Sequence, residues 1–257
     1  YPTFTVEFTA DKPNAFLYAE LCDIHPDGAA TRVSYGLMNL THLDGHEKVT
    51  YLEPGKKYKA TVTLDVCGHV FPKGHRVRLA VANSFWPMIW PSPEKVTLKL
   101  DLSTAEFTLP IFTGKDTEGP NMEAKCAPLT PMTVLKEGVV NRQITYDLLT
   151  DSWTSITDGV GGVFGEGIYR FDDIGTVVEH NLKRILTVSN SDPSDARYEI
   201  IQKMKNGRPG WEIDCDIDVV QTADKENFYL TGFMDASING EHAFHRDYDV
   251  TVPRNGL

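Results

Sequence analysis

Residues 63–94 read TLDVCGHVFPKGHRVRLAVANSFWPMIWPSPE. Leading into this stretch, Tyr58, Ala60, Val62, Leu64 and Val66 fall on one side of a pleat and Lys59, Thr61, Thr63 and Asp65 on the other, the period of two expected of a half-buried strand. Val77, Leu79 and Val81 repeat the pattern after it. Between the two, Phe71-Pro72-Lys73-Gly74 suits a tight reversal, because proline fixes φ early in a turn and glycine accepts the exit geometry. A hairpin is the expectation. The stretch ends on two tryptophans set among three prolines.

Outward from this hairpin the same period recurs. Phe4, Val6 and Phe8 alternate with Thr5 and Glu7, Ala15–Leu21 follows after the turn Asp11-Lys12-Pro13-Asn14, and residues 32–40 make another strand candidate. Downstream, Val96, Leu98, Leu100 and Leu102 alternate with Thr97, Lys99 and Asp101, and Phe107, Leu109 and Ile111 close the series. Seven or eight short strands with no helical period describe an all-β sandwich over residues 1–113. Residues 114–136, punctuated by Gly114, Gly119, Pro120, Pro128 and Pro131, form the expected linker.

Residues 137–257 form a second antiparallel β domain on the same reasoning. Tyr198, Ile200, Gln202 and Met204 share one face of a strand, and Asn206-Gly207 opens the turn to Trp211, Ile213, Cys215, Ile217 and Val219. Residues 228–234 and 244–252 add strands joined near Asn239-Gly240, and residues 177–188 read as one long, bent strand. A meander of consecutive hairpins is the economical topology. The glycine run 159–167 (GVGGVFGEG) is expected to be a mobile loop.

Composition bounds the function classes. The 257 residues are 41% hydrophobic, ordinary for a globular chain, and no apolar run reaches membrane-span length. A formal charge of −11 without a basic cluster argues against a nucleic-acid surface. Cys22, Cys67, Cys126 and Cys215 form no C-x-x-C pair, so they are expected to be reduced and buried, which points to the cytoplasm. The chain opens at Tyr1 inside strand-like sequence and is expected to be a fragment that lacks N-terminal strands.

The chemistry-bearing candidates are few. No G-x-S-x-G, Walker A loop or H-E-x-x-H occurs, and GVGGVFGEG lacks the dinucleotide spacing. His69 and His75 flank the central turn with Cys67 nearby, but no fourth ligand of matching spacing accompanies them, so no metal and no cofactor are expected. Hydrogen bonding that pins the hairpin is their expected work, with Gly74 serving the turn. The acidic row Glu212, Asp214, Asp216 and Asp218 stands in a line along one strand face, which suits a solvated surface better than a calcium cage; Asp192, Asp195 and Asp172-Asp173 lie in loops that would have to complete one. Phe85, Trp86 and Trp90 are the largest aromatic payload, readable as a sugar-stacking platform or as a plug against an adjoining domain.

Four blocks carry a resemblance to a known family: LCDIHPDGAATRVSYG (21–36), LEPGKKYKATVTL (52–64), HVFPKGHRVRLAVANS (69–84) and WPMIWPSPE (86–94). In that order they resemble the C-terminal β-sandwich of the cocaine-esterase-like (CocE/NonD) and X-prolyl dipeptidyl-peptidase serine hydrolases, and SDPSDAR (191–197) and HRDYDVTVPR (245–254) are similar to the tail of long members. The resemblance implies a jelly roll similar to galactose-binding folds. It implies acyl transfer by a serine, histidine and aspartate triad on a separate α/β-hydrolase domain, so no catalytic residue is assigned here. It also favours the plug for Phe85, Trp86 and Trp90, a structural role for His69, Gly74 and His75, and the hydrolase domain as partner, with homo-oligomers a further expectation. A free-standing carbohydrate- or protein-binding module is the alternative.

Overall fold

A computed structural model describes residues 1–114, 127–162 and 165–257. Residues 115–126 of the expected linker, Cys126 among them, and Val163-Phe164 of the glycine run lie outside these described residues. Among them the fold is nearly all antiparallel β, with two three-residue 3-10 turns and no α-helix. The chain divides into two compact units, Tyr1–Glu118 with Asn255–Leu257, and Gly119–Arg254.

The first unit has six strands: β1 (Thr3–Ala10), β2 (Phe16–Ile24), β3 (Ala30–Asn39), β4 (Lys57–Thr63), β5 (Arg76–Ala82) and β6 (Leu98–Thr108). They form two three-stranded sheets, β4-β1-β6 and β3-β2-β5. Phe4, Val6 and Phe8 of β1, Leu17, Ala19 and Leu21 of β2, and Ala60, Val62 and Leu64 at β4 are buried together in one core. Each such large side chain contributes roughly 1.5–3 kcal/mol relative to leaving it in water. β2 is buried on both faces, because Phe16, Tyr18, Cys22 and Ile24 on its other side are covered as well.

Two expectations change here. β4 and β5 are not a hairpin: β4 pairs with β1 and β5 with β2, so residues 64–75 cross from one sheet to the other. β1 and β2, too, lie in different sheets. Alternation along a strand reports which face is buried and says nothing about which strand lies alongside. The Pro72–His75 turn does form, closed by His75 N–H donating to the Pro72 carbonyl at 3.0 Å, with Gly74 at φ +93°. The two last strand candidates fuse into the single long β6, whose pairing with β1 shifts register between Thr5 and Glu7.

The described residues of the second unit form one nine-stranded sheet. Its strands are β7 (Met132–Lys136), β8 (Val139–Asp147), β9 (Ser152–Val160), β10 (Ile168–Phe171), β11 (Thr176–Ser189), β12 (Arg197–Arg208), β13 (Trp211–Ala223), β14 (Asn227–Ile238) and β15 (Glu241–Pro253). The order is β15-β14-β13-β12-β11-β10-β7, with β9 and then β8 attached to the other half of β11. β7 thus occupies the last five residues of the stretch read as linker. β11 to β15 are the expected meander, and Asn239-Gly240, both at positive φ, make the two-residue reversal between β14 and β15. The β12–β13 turn lies further on than expected: Asn206 and Gly207 are paired within the ladder, and Pro209-Gly210 reverses the chain. Gly161, Gly162, Gly165 and Gly167 all have positive φ, and a Cβ on Gly161 would lie 2.4 Å from the Gly167 Cα, so backbone packs on backbone there.

Candidate functional site

Two neighbourhoods of the first unit gather the residues singled out by sequence. The first is built by β5 as it runs into Phe85–Glu94. Asn83 Nδ2 donates to the Val96 carbonyl at 2.7 Å, closing the base of this excursion, and the Ile89 N–H donates to the Phe85 carbonyl at 2.9 Å, forming one turn inside it. The Trp86–Pro87 peptide is cis. Phe85 stacks on Tyr18 of β2 with centroids 4.1 Å apart and meets Tyr35 of β3 at 5.8 Å. Trp86 and Trp90 pack edge to face at 5.4 Å, both half-buried. Phe85 therefore belongs to a second aromatic layer on the outer face of β2, the two tryptophans brace each other, and Met88, between them in sequence, is 66% exposed.

Beneath Phe85 lies a polar cluster that the sequence reading missed. The Tyr18 hydroxyl donates to Glu20, and the Cys22 thiol donates to the same carboxylate at 3.1 Å. Burial, followed by the Glu20 carboxylate, pushes the Tyr18 phenol up to about 12, and the same two causes push the Cys22 thiol up. Cys22 is thus a buried, neutral thiol. Cys67 and Cys215 are free and half-buried.

The second neighbourhood sits where β2 ends beside the start of β5. Asp23, whose side chain is only 3% exposed, accepts hydrogen bonds from His69 Nε2 at 2.9 Å and His75 Nδ1 at 2.8 Å. One carboxylate therefore ties residues on both sides of the Pro72–His75 turn to β2. Burial works to raise the Asp23 pKa, but the two imidazole hydrogen bonds outweigh it and hold the carboxyl below the usual range. His25 joins from just beyond β2: its ring lies 4.6 Å from that of His75, and its Nε2 is 2.9 Å from Thr31 Oγ1. Donor atoms of Asp23, His25 and His75 all lie within 4.8 Å of one another. Asp23 and His25 lie some fifty residues from the histidines and escaped any search by local spacing. Their signal was an acid and a histidine, DIH, closing a buried, largely apolar strand.

The remaining candidates are dispersed. The acidic row of β13 is answered by lysines of β12, with Lys205 Nζ 2.9 Å from Glu212 and 3.6 Å from Asp214, and Lys203 Nζ 3.6 Å from Asp216. Asp192 caps the turn Pro193–Asp195, and Asp172 holds Thr133 and Arg170. Each of the eight histidines hydrogen-bonds to an aspartate, threonine, glutamine or another histidine.

One further surface matters. Val77, Leu79 and Val81 of edge strand β5 point to the same side as the buried Ala19 and Leu21 of β2, yet Val77 is 48% and Val81 37% exposed. A groove lined by Leu17, Val81, Val96, Leu98 and Leu100 runs along this side between β5 and β6.

Residues 1–126 match the X-Pro dipeptidyl-peptidase C-terminal non-catalytic domain. A stretch of 84 residues, 33% of this chain, is 37% identical to a Streptomyces avermitilis protein assigned as an Xaa-Pro dipeptidyl-peptidase. Another of 69 residues, 27% of the chain, is 29% identical to the cocaine esterase of Rhodococcus sp. (strain MB1 Bresler). The matched stretches span 12% of the length of each relative.

Proposed function

We propose, since residues 1–126 match the X-Pro dipeptidyl-peptidase C-terminal non-catalytic domain, that this chain is the scaffold portion of a serine hydrolase whose catalytic triad sits on an α/β-hydrolase domain outside these 257 residues. The reaction it supports is ester or amide hydrolysis, the chemistry in the names of its relatives, with release of X-prolyl dipeptides the specific version. The observation that carries the reading is the uncovered core side of β5. Burying Val77 and Val81 would remove apolar surface from water at roughly 25 cal/mol per Å², and an adjoining domain is the economical cover. Exposed Met88, flanked in sequence by Trp86 and Trp90, fits the rim of such a contact.

The test is complementation in trans. The α/β-hydrolase domain of the same protein, expressed separately, should bind the 257-residue chain and gain activity or thermal stability from it. Val81→Asp or Met88→Asp should weaken that association while leaving the fold of the isolated chain intact by circular dichroism. Absence of binding, or binding indifferent to both variants, overturns the reading.

A further inference from the structure

We propose that Asp23, His25 and His75 form a binding site for a divalent transition-metal ion of the zinc class, an inference that goes beyond the scaffold role and does not depend on it. The donor set decides the class. Two imidazoles and one carboxylate suit zinc, cobalt, nickel or copper, whereas calcium and magnesium prefer oxygen alone.

The backbone places the three donors without help from an ion. β2 and β5 pair antiparallel with Ile24 opposite Arg76, so the next residue outward on each strand is His25 and His75. Asp23 stands one residue inward and is almost wholly buried. His25 is fixed by the tight connection to β3, with its N–H donating to the Ala29 carbonyl at 2.8 Å and its carbonyl accepting from the Gly28 N–H at 2.9 Å. His75 is fixed by the Pro72–His75 turn.

Distances favour the exchange of a proton for a metal. His75 Nδ1 and Asp23 Oδ1 are 2.8 Å apart. Two ligands of a tetrahedral ion with bonds of about 2.0–2.1 Å stand roughly 3.3 Å apart, so inserting the ion opens this pair by about half an ångström. Outer contacts that orient ligands are also present. His69 Nε2 holds the second carboxylate oxygen of Asp23 at 2.9 Å, and Thr31 Oγ1 is at 2.9 Å from His25 Nε2. A histidine and a hydroxyl behind the ligands are the kind of neighbours that fix ring orientation and carboxylate geometry in metal sites. Three protein ligands leave a fourth position for water, which makes the bound ion exchangeable and accessible to an added chelator.

The experiment uses the tag-free 257-residue chain, stripped with chelator and titrated with zinc chloride near neutral pH against a competing chromophoric chelator. One equivalent of zinc should bind at low micromolar affinity or tighter, and zinc should raise the melting temperature of the first unit. His25→Ala, which leaves the Asp23 hydrogen bonds to His69 and His75 in place, should weaken binding by about tenfold or more and abolish the thermal shift. Cobalt in place of zinc should give the visible absorption of a low-coordinate nitrogen and oxygen site, lost in the same variant. The double variant His242→Ala, His245→Ala in the second unit should bind as the unmodified chain does. No saturable binding, equal binding by His25→Ala, or loss of binding in the double variant overturns the proposal.

Discussion

Gly36→Ala probes a point where the two sheets of the first unit approach closely. Gly36 lies opposite Ala19 in the β2–β3 ladder, and a Cβ added to it would stand 2.4 Å from the Thr63 carbonyl oxygen and 3.0 Å from the Leu64 Cα, both backbone atoms at the end of β4. Carbon and oxygen in ordinary contact are about 3.3–3.6 Å apart, so one sheet has to retreat by about 1 Å. Two hydrogen bonds fasten the sheets beside this point: Asp65 N–H to the Tyr35 carbonyl at 2.9 Å and Ser34 Oγ to the Asp65 carbonyl at 2.6 Å. Overpacking of this kind costs about 1–3 kcal/mol, and weakening one of those hydrogen bonds adds about 1 kcal/mol. For a unit of this size the sum lowers the melting temperature by roughly 10 °C. Differential scanning calorimetry of the full chain measures it, with Gly68→Ala, where a Cβ meets nothing within 4 Å, as the matched control. A Gly36→Ala protein that melts with the control would refute the close approach of β3 to β4 and with it the sandwich.

Three titrations test the local electrostatics. The Tyr18 phenol, pushed up to about 12 by burial and Glu20, should ionise last among the tyrosines in an ultraviolet titration, and that late step should vanish in Tyr18→Phe. Because the unfolded chain releases this proton near pH 10, the group's contribution to stability is complete below about pH 10 and is lost as pH rises toward 12. The Asp23 carboxyl is held low, so its contribution is complete above the ordinary aspartate value of about 4 and fades as pH falls through the folded-state value. Acid unfolding of Asp23→Asn should lack that component, and an unchanged acid slope would contradict the two histidine contacts. Hydrogen bonds from His245 to Asp247 and then to Asp235 raise the His245 pKa. Its stabilising effect is therefore full below about pH 6.5 and fades as pH rises through the folded-state value. Its proton resonance should titrate above that of a free histidine and move down in Asp247→Asn.

Strands were legible in this chain because alternation of apolar and polar side chains is a local property. Phe4, Val6 and Phe8, or Ile213, Cys215 and Ile217, announce a pleat without reference to anything distant. Pairing partners were not legible, since the pattern in β4 and β5 is satisfied equally by a hairpin and by a crossover between sheets. The Asn206-Gly207 turn failed for a related reason: the dipeptide permits a reversal, but continued pairing of β12 with β13 through Arg208 and Trp211 moved it to Pro209-Gly210. At the site, His69 and His75 stood out from the sequence, while the carboxylate they share came from Asp23 across the sheet. A buried acid in an apolar strand demands partners, and that demand is visible at Asp23 even though the identity of the partners is not.

The most direct measurement of the central claim, that the bond-breaking groups lie outside this polypeptide, is the intact mass of the 257-residue chain after exposure to an excess of a serine-reactive fluorophosphonate. An unchanged mass, alongside full labelling of the separately expressed α/β-hydrolase domain, is the predicted result. A stoichiometric adduct on one serine of this chain, abolished by changing that serine to alanine, would contradict it.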